Sequence, residues 1–327
     1  MKLKSVGAIA VGLGLLLSAG CSNTSPVAPS APPAGSGGTA KQIKTVGLMV
    51  QDLSNPFFAV MKTSMEKQAQ ADGFTLNVQD GQQDLGQQNN QIDTFIQQKT
   101  DLIILNAVDS QGIGSAVQRA LQAGVVVVAV DVDAAGAQAV VMTNNIEAGT
   151  QSCTALADKI GGKGNIIIVD GTQITSVQDR VKGCKAVLAE KYPNIKIVGQ
   201  QAGKNDVANG QLITTDLLTA NKDLQGIFGI NDPTARGAVL ALQQAGRTGI
   251  WVTGVDGSPD AVTEMKKPNS PFWATPAQDP AGMVVKAYQV GKDIIANGAP
   301  AADKRVTLMN PTLVTIDTLS SYKGWAG

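Results

Sequence analysis

Short apolar runs alternate with longer segments of helical periodicity along most of the chain. The first series of runs predicts strands at residues 46–50, 75–79, 102–105 and 125–130. The segments between them predict helices at residues 56–72, 87–99 and 113–123. Most of these strands are continuously apolar, which is typical of strands buried on both faces of a parallel sheet. The alternation therefore predicts βαβ units in a doubly wound α/β sheet.

A second series of the same kind follows the first. Its predicted strands lie at residues 165–169, 195–201, 226–230 and 250–255. Its predicted helices lie at residues 147–160, 176–191, 207–219 and 234–245. A chain of 327 residues is long enough for about two domains. We therefore expect two Rossmann-like lobes of similar design.

Polar residues stand at strand ends with the same spacing in both series. Asn106 and Asp131 follow two strands of the first series, and Asn231 and Asp256 follow two strands of the second. Ligands of open α/β sheets bind at the carboxyl ends of the strands, so these side chains are expected to face one another across a cleft. Each of them could instead cap the helix that follows, as Asn and Asp often do.

The turn after the first strand carries an aromatic pair. Residues 51–58 read Gln-Asp-Leu-Ser-Asn-Pro-Phe-Phe, in which Pro56 suits the first position of a helix that Asn55 can cap. Phe57 and Phe58 stand at the carboxyl end of the strand, beside amide side chains. Such a wall suits a ligand with an apolar C–H face and a rim of hydroxyls. Either ring could equally be a core residue.

Composition excludes several classes of function. Lys plus Arg and Asp plus Glu number 26 each, so no basic field exists to hold nucleic acid or anionic lipid. The chain has no His, which excludes Ser-His-Asp and Cys-His catalysis and His-ligated zinc. The glycines of residues 161–164 precede a strand, whereas a dinucleotide-binding loop follows one. The three cysteines are too widely spaced for a metal site, so we predict neither a metal nor a cofactor.

The N-terminus has the pattern of an export signal. A charged start precedes an apolar segment at residues 6–17, which is too short to span a membrane and leads through small residues to Cys21. The segment resembles a bacterial lipoprotein signal, with residues 1–20 removed and Cys21 lipidated; a plain secretory signal is the alternative. Residues 21–42 are rich in Ser, Pro, Ala and Gly and are predicted to form a flexible tether.

Cys153 and Cys184 form a candidate disulfide. An exported protein meets oxidising conditions, in which disulfides persist. Each cysteine lies at a similar distance from the start of its predicted helix, so the two thiols would lie at equal depth if the helices are neighbours. Two separate buried thiols are the alternative.

Several short stretches, taken together and in order, resemble a known family. They are residues 54–58, 105–106, 130–131, 180, 230–232, 255–260 and 277–278. The set resembles the periplasmic sugar-binding proteins of ABC importers, of the ribose-binding type, over residues 44–317. The resemblance implies two doubly wound lobes joined by a three-segment hinge. The first lobe would comprise residues 43–143 and 279–308, and the second residues 144–278 and 309–327.

The resemblance also implies a set of ligand-binding residues. They are Gln51, Asn55, Phe57, Phe58, Asn106, Asp131, Thr143, Arg180, Asn205, Asn231, Asp256 and Gln278, of which Gln51 and Thr143 match more weakly. Val132 stands where an arginine is usual, and Asn205 and Val255 stand where aromatics are usual. The loss of donors and of ring surface predicts a roomier site that binds ribose more weakly than a hexose or an open-chain polyol. Two carboxylates against one arginine favour a neutral ligand.

We therefore expect a monomeric extracytoplasmic lipoprotein, at the cell surface or in the periplasm, that is anchored to the membrane through Cys21. It would bind a neutral monosaccharide or polyol and deliver it to an ABC importer permease, without catalysis. Two alternatives remain open. One is a carbohydrate-active enzyme with Asp131 and Asp256 as its carboxylate pair, and the other is a sensor that presents sugar to a membrane receptor.

Overall fold

The computed structural model describes residues 42–325, which form part of one compact unit. The predicted signal peptide, Cys21 and most of the predicted tether lie outside the described residues. The strands are β1 (Thr45–Val50), β2 (Thr75–Asp80), β3 (Leu102–Leu105), β4 (Val126–Val130), β5 (Ala139–Thr143), β6 (Lys163–Asp170), β7 (Asn194–Ala202), β8 (Gly226–Gly229), β9 (Trp251–Thr253), β10 (Phe272–Ala277), β11 (Val306–Met309) and β12 (Thr312–Thr315). The helices are α1 (Pro56–Asp72), α2 (Leu85–Gln97), α3 (Gly114–Gln122), α4 (Asn145–Lys159), α5 (Thr175–Lys191), α6 (Val207–Ala220), α7 (Asp232–Gln244), α8 (Pro259–Met265) and α9 (Pro280–Asn297).

The strands form two sheets of six. The first sheet has the order β11-β5-β4-β3-β1-β2, and the second has the order β12-β10-β9-β8-β6-β7. Every pairing is parallel except that of β10 with β12. Parallel strands with helical connections are the signature of a doubly wound fold. The predicted α/β class with two Rossmann-like sheets is confirmed.

Helices cover both faces of each sheet, which explains why the strand sequences are almost wholly apolar. In the first sheet, α1 and α9 pack on one face and α2 and α3 on the other. In the second sheet, α6, α7 and α8 lie on one face and α4 and α5 on the other. The chain passes between the sheets after β5, after β10 and between β11 and β12. These passages bring the carboxyl ends of both sheets toward one another.

Sequence periodicity missed the elements that do not follow the strand–helix alternation. Strand β5 pairs with β4 without an intervening helix, and the last part of the chain adds α8, β10, α9, β11 and β12. The predicted strand at 250–255 is shorter in the structure, where β9 ends at Thr253 and Asp256 pairs with Ala277 only as an isolated parallel bridge. The first helix begins and ends where the pattern predicts, with Asn55 as its cap and Gly73 in the left-handed conformation after it.

Cys153 and Cys184 are joined as a disulfide between α4 and α5, with a Cα–Cα distance of 5.1 Å. Two glycines let these helices approach so closely. A Cβ atom on Gly149 would lie 2.8 Å from the Cα atom of Arg180, and one on Gly183 would lie 2.9 Å from the carbonyl carbon of Ile146. The helix pair is therefore held by backbone contact as well as by the disulfide.

We predict that mass spectrometry of the unreduced protein will find one linked peptide pair that contains Cys153 and Cys184. The reason is that the helix contact brings the two thiols to bonding distance before oxidation. Reduction before digestion is the control and should separate the pair. Two free thiols in protein that was purified under oxidising conditions would contradict this prediction.

Candidate ligand-binding site

A cavity of about 540 Å³ lies between the carboxyl ends of the two sheets. Its volume is in the range of pockets that hold small molecules. One wall comes from the turns after β1 and β4, and the opposite wall comes from the turns after β6, β7, β8, β9 and β10. The site is therefore built from strand ends, where open α/β sheets bind their ligands.

Most of the residues that the sequence nominated meet at this cavity. Its lining includes Gln51, Asn55, Phe57, Phe58, Asp131, Arg180, Asn205, Asn231, Asp256 and Gln278. Asn106 and Thr143 are not part of the lining and lie directly behind it. The role of these residues in binding stays a prediction.

Three charged side chains lie at the centre of the cavity. Asp131 follows β4 of the first sheet, whereas Arg180 lies on α5 and Asp256 follows β9 of the second sheet. All three side chains are buried, and Nη1 of Arg180 lies 3.6 Å from Oδ1 of Asp256. The backbone is left-handed at Asp131, where φ is 66°, and φ is 139° at Asp256. Strained backbone of this kind persists where the surrounding structure enforces it, and it is concentrated at functional sites.

A layer of amides orients the two carboxylates. Asn106 Nδ2 donates to Asp131 Oδ2 at 3.0 Å, and Gln278 Nε2 donates to Asp256 Oδ1 at 2.7 Å. Thr143 Oγ1 in turn donates to Gln278 Oε1 at 2.5 Å, which joins β5 of the first sheet to the end of β10 in the second. Asn106 and Thr143 therefore position groups that line the cavity.

Arg180 is fixed by two hydrogen bonds in addition to its ion pair with Asp256. Its Nε donates to Asn145 Oδ1 at 2.8 Å, and its Nη1 donates to the carbonyl of Ile230 at 3.0 Å. Asn145 is held in turn by a bond from its Nδ2 to the carbonyl of Thr143 at 2.9 Å. The guanidinium is thus presented to the cavity in one orientation.

The helix-cap alternative is correct for Asn231, which accepts a hydrogen bond from the backbone N–H of Thr234 at 2.9 Å and caps α7. It is wrong for the other three strand-end residues. Asn106 bonds to a carboxylate, β5 rather than a helix follows Asp131, and Ser258 caps the helix after Asp256. Matching spacing along the sequence therefore identified positions whose functions differ.

An aromatic wall closes one side of the cavity. Phe57 and Phe58 are almost fully buried in the core of the first lobe and also line the cavity, so the core interpretation is confirmed and contact with a ligand stays a prediction. Trp325, which no sequence pattern indicated, joins them with its ring centroid 5.5 Å from that of Phe57. A lone tryptophan after the last strand has no periodicity by which it could have been found.

The three departures from the ribose pattern have different surroundings. Val132 and Val255 are fully buried and do not line the cavity. Asn205 does line it, but its side chain bonds to the turn at Thr172, with Oδ1 accepting from the backbone N–H and Nδ2 donating to the hydroxyl. The two valines therefore contribute neither a donor nor a ring to the wall.

Burial is the largest influence on the pKa values of the buried carboxylates. It raises the pKa of Asp131 to about 6, against the lowering effects of Arg180 and of the bond from Asn106. It likewise raises the pKa of Asp256 to about 6, against Arg180 and Gln278. Burial and then the charge of Asp256 raise the pKa of Asp232, which lies behind the cavity, well above its ordinary value.

Residues 42–325 contain neither a metal-binding cluster nor a membrane-spanning helix. In this range no cluster of three or more carboxylate or cysteine side chains is placed to hold a metal ion. None of the helices in the same range is long and apolar enough to cross a membrane.

The chain is similar to known proteins over most of its length. Residues 46–299 match the family model of the periplasmic binding protein domain. The chain is 30% identical to the ribose import binding protein of Bacillus subtilis, over 90% of this chain and 94% of that protein. It is 33% identical to a xylitol-binding protein of Mycolicibacterium smegmatis, over 71% of this chain and 68% of that protein.

A solved structure shares the fold. It is an ABC transporter periplasmic solute-binding protein from Actinobacillus succinogenes with bound D-allose. The TM-score is 0.77 at 30% identity, over 85% of this chain and 100% of that chain. With the family match, this similarity defines the class of protein as a two-lobed solute-binding protein. The chain belongs to the periplasmic binding protein family, whose members act outside the cytoplasm.

We predict that Asp131→Asn will raise the free energy of unfolding at pH 7.5 relative to the ligand-free wild type, and that the difference will shrink toward pH 4. The folded-state pKa of Asp131 is about 6 against an ordinary value of 3.8. Between these values the folded protein binds more protons than the unfolded chain, so wild-type stability falls as the pH rises through this window. Urea unfolding at several pH values measures the difference.

Asp93→Asn is the matched control, because Asp93 is an exposed carboxylate that is paired with Arg119. Its removal should cost little stability, because an exposed ion pair contributes little. A difference for Asp131→Asn that stays constant from pH 4 to pH 7.5 would show that burial does not perturb this carboxylate.

Proposed function

We propose that this protein captures a neutral monosaccharide or polyol in the cleft between its lobes and delivers it to the permease of an ABC importer. The observation that carries the proposal is the convergence of Asp131, Arg180 and Asp256, from both lobes, on one cavity with an aromatic wall. Ribose, xylitol and D-allose, which appear in the names of similar proteins, are all neutral and rich in hydroxyls.

The polar groups of the cavity complement such a ligand. Each carboxylate can accept hydrogen bonds from two hydroxyls, while Arg180 and the amides of Gln51 and Gln278 can donate to ring or hydroxyl oxygens. The Phe57 ring covers the apolar C–H face. A phosphorylated or acidic ligand would place a third negative charge beside two buried carboxylates, which is costly.

The domain boundaries that support this mechanism are 43–143 with 279–308 for the first lobe, and 144–278 with 309–327 for the second. Contacts between the lobes lie on both sides of the hinge. Thr143 bonds to Gln278, Thr175 Oγ1 accepts from the backbone N–H of Asp133 at 2.8 Å, and Ser110 Oγ accepts from the N–H of Thr175 at 3.2 Å. The two bonds of Thr175 join residues that lie away from the lobe boundaries, so opening of the lobes would break them and a ligand held by both lobes would favour the closed form.

In this proposal the protein acts as a monomeric carrier. A lipid on Cys21 holds it near its permease. The apolar segment before Cys21 and the small residues next to it support lipidation. The ligand leaves chemically unchanged, because the amides around both carboxylates can form hydrogen bonds with the polar groups of a ligand but supply no nucleophile or cofactor.

We predict that a thermal-shift screen of pentoses, hexoses and polyols will find specific stabilisation, because a ligand that binds only the folded state raises stability as RT ln(1 + [L]/Kd). We expect D-ribose to bind more weakly than a hexose or an open-chain polyol, since Val132 and Val255 supply neither a donor nor a ring. Calorimetry should rank the responders, and mass spectrometry should recover each one unchanged.

Asp256→Ala should weaken the best responder by about tenfold or more, because it leaves buried hydroxyl and amide donors without an acceptor. Asp93→Ala, which removes an exposed carboxylate that is also paired with an arginine, should leave affinity unchanged. The proposal fails if no ligand responds at millimolar concentration, if the sugar is altered, or if Asp256→Ala binds like the wild type.

For the anchor, we predict that Cys21→Ser will move the protein from the membrane fraction to the soluble fraction while ligand affinity stays the same. The reason is that a serine cannot carry the thioether-linked lipid, and Cys21 precedes the folded residues 42–325. Cell fractionation and calorimetry measure the two properties. Retention of the variant in the membrane would mean that Cys21 is not the anchor.

A further inference from the structure

Residues 322–325 form a short segment that returns to the cleft. After β12 and a 3-10 helix (Ile316–Ser321), the hydroxyl of Tyr322 donates to the carbonyl of Gly257 at 2.8 Å. The indole Nε1 of Trp325 donates to the carbonyl of Asp256 at 2.7 Å. Both bonds therefore fasten residues 322–325 to the turn that carries one of the two cavity carboxylates.

The same tryptophan touches the other lobe. Its ring meets that of Phe57 edge to face, with centroids 5.5 Å apart and planes at 83°. It packs against the apolar core beside α1, whereas Tyr322 packs against the core of the second lobe. Trp325 is half-buried and contributes to the lining of the cavity. One side chain thus contacts both lobes and the ligand space.

We propose that Trp325 is a ligand-contacting residue and that residues 322–325 form a C-terminal strap that closes with the cleft. This inference rests on the proposed sugar-binding function and assigns to it a specificity residue. The indole supplies ring surface that Asn205 and Val255 do not, and an aromatic face binds best to a ligand with a flat array of C–H groups. The strap therefore favours cyclic sugars over open-chain polyols.

The strap also contributes to closure. An edge-to-face aromatic pair and a partly buried hydrogen bond each stabilise a contact by a modest amount. Here one end of the contact belongs to α1 of the first lobe and the other to the turn of Asp256 in the second. Separation of the lobes breaks at least one of the two, so the strap slows release of the ligand.

Calorimetry with D-allose as a cyclic probe and xylitol as an open-chain probe tests the strap in the full chain. Trp325→Ala should weaken D-allose binding by about tenfold and xylitol binding by less. Trp325→Phe, which keeps a ring but loses the N–H donor, should recover part of the loss for D-allose. Trp273→Phe is the control, because Trp273 does not line the cavity. Its ring meets Trp251 edge to face and lies beneath the ammonium group of Lys159.

Fluorescence provides a readout that a purely structural role would not change. The chain has three tryptophans, so Trp251→Phe with Trp273→Phe leaves Trp325 as the single emitter. Its emission should shift when the better-binding probe is added, and the shift should disappear in the triple variant that also has Trp325→Phe. A thermal melt of each variant shows whether the fold is intact.

The outcomes separate the strap from the function. The strap is supported if the wild type binds the probes, if Trp325→Ala prefers D-allose over xylitol less than the wild type does, and if the fluorescence emission of the single-tryptophan protein shifts. If the wild type binds but Trp325→Ala keeps the same preference, or the emission of the single-tryptophan protein does not change, the strap is overturned. The sugar-binding proposal is then unaffected. A wild type that binds no sugar or polyol in the screen overturns both.

Discussion

Burial of charge between the two lobes is the constraint on which the site depends. Arg180, Asp131 and Asp256 are all buried, and removing such groups from water is costly unless each has partners of good geometry. The direct partners lie within each lobe, because Asn106 bonds to Asp131 while Arg180, Asp256 and Gln278 pair with one another. Across the cavity, the charge of Arg180 partly offsets the rise in the pKa of Asp131 that burial causes. A ligand that brings hydroxyl donors to the carboxylates completes this pairing. Binding and closure then depend on the same interactions.

The surrounding structure holds these charges in one arrangement. Asn106 and Gln278 each bond to a carboxylate, and the backbone at both carboxylates stays in a conformation that costs energy. On the opposite side, the close approach of α4 and α5 sets the position from which Arg180 extends. The Cys153–Cys184 disulfide lies in the same helix pair, so stability and site geometry have a common support.

The apolar side of the cavity is continuous with the core of the first lobe. Phe57 packs into that core and also faces the cavity, which leaves its ring little freedom to reorient. A rigid ring and oriented carboxylates would contact different parts of a sugar. The ring would contact the C–H groups, and the carboxylates would accept hydrogen bonds from the hydroxyls. Under the proposed function, this combination would make the site selective for hydroxyl-rich ligands although it lies among apolar residues.

The sequence by itself determined the fold class, because buried parallel strands must be apolar and their helices must be amphipathic. It also nominated Asp131 and Asp256, since strand ends are read directly from that alternation. Only the tertiary structure decided which nominated groups face the cavity, because Asn106 and Thr143 also stand at strand ends but lie behind the wall, where they bond to Asp131 and Gln278. Only the tertiary structure revealed Trp325, since its role comes from a contact between distant parts of the chain that no local periodicity encodes.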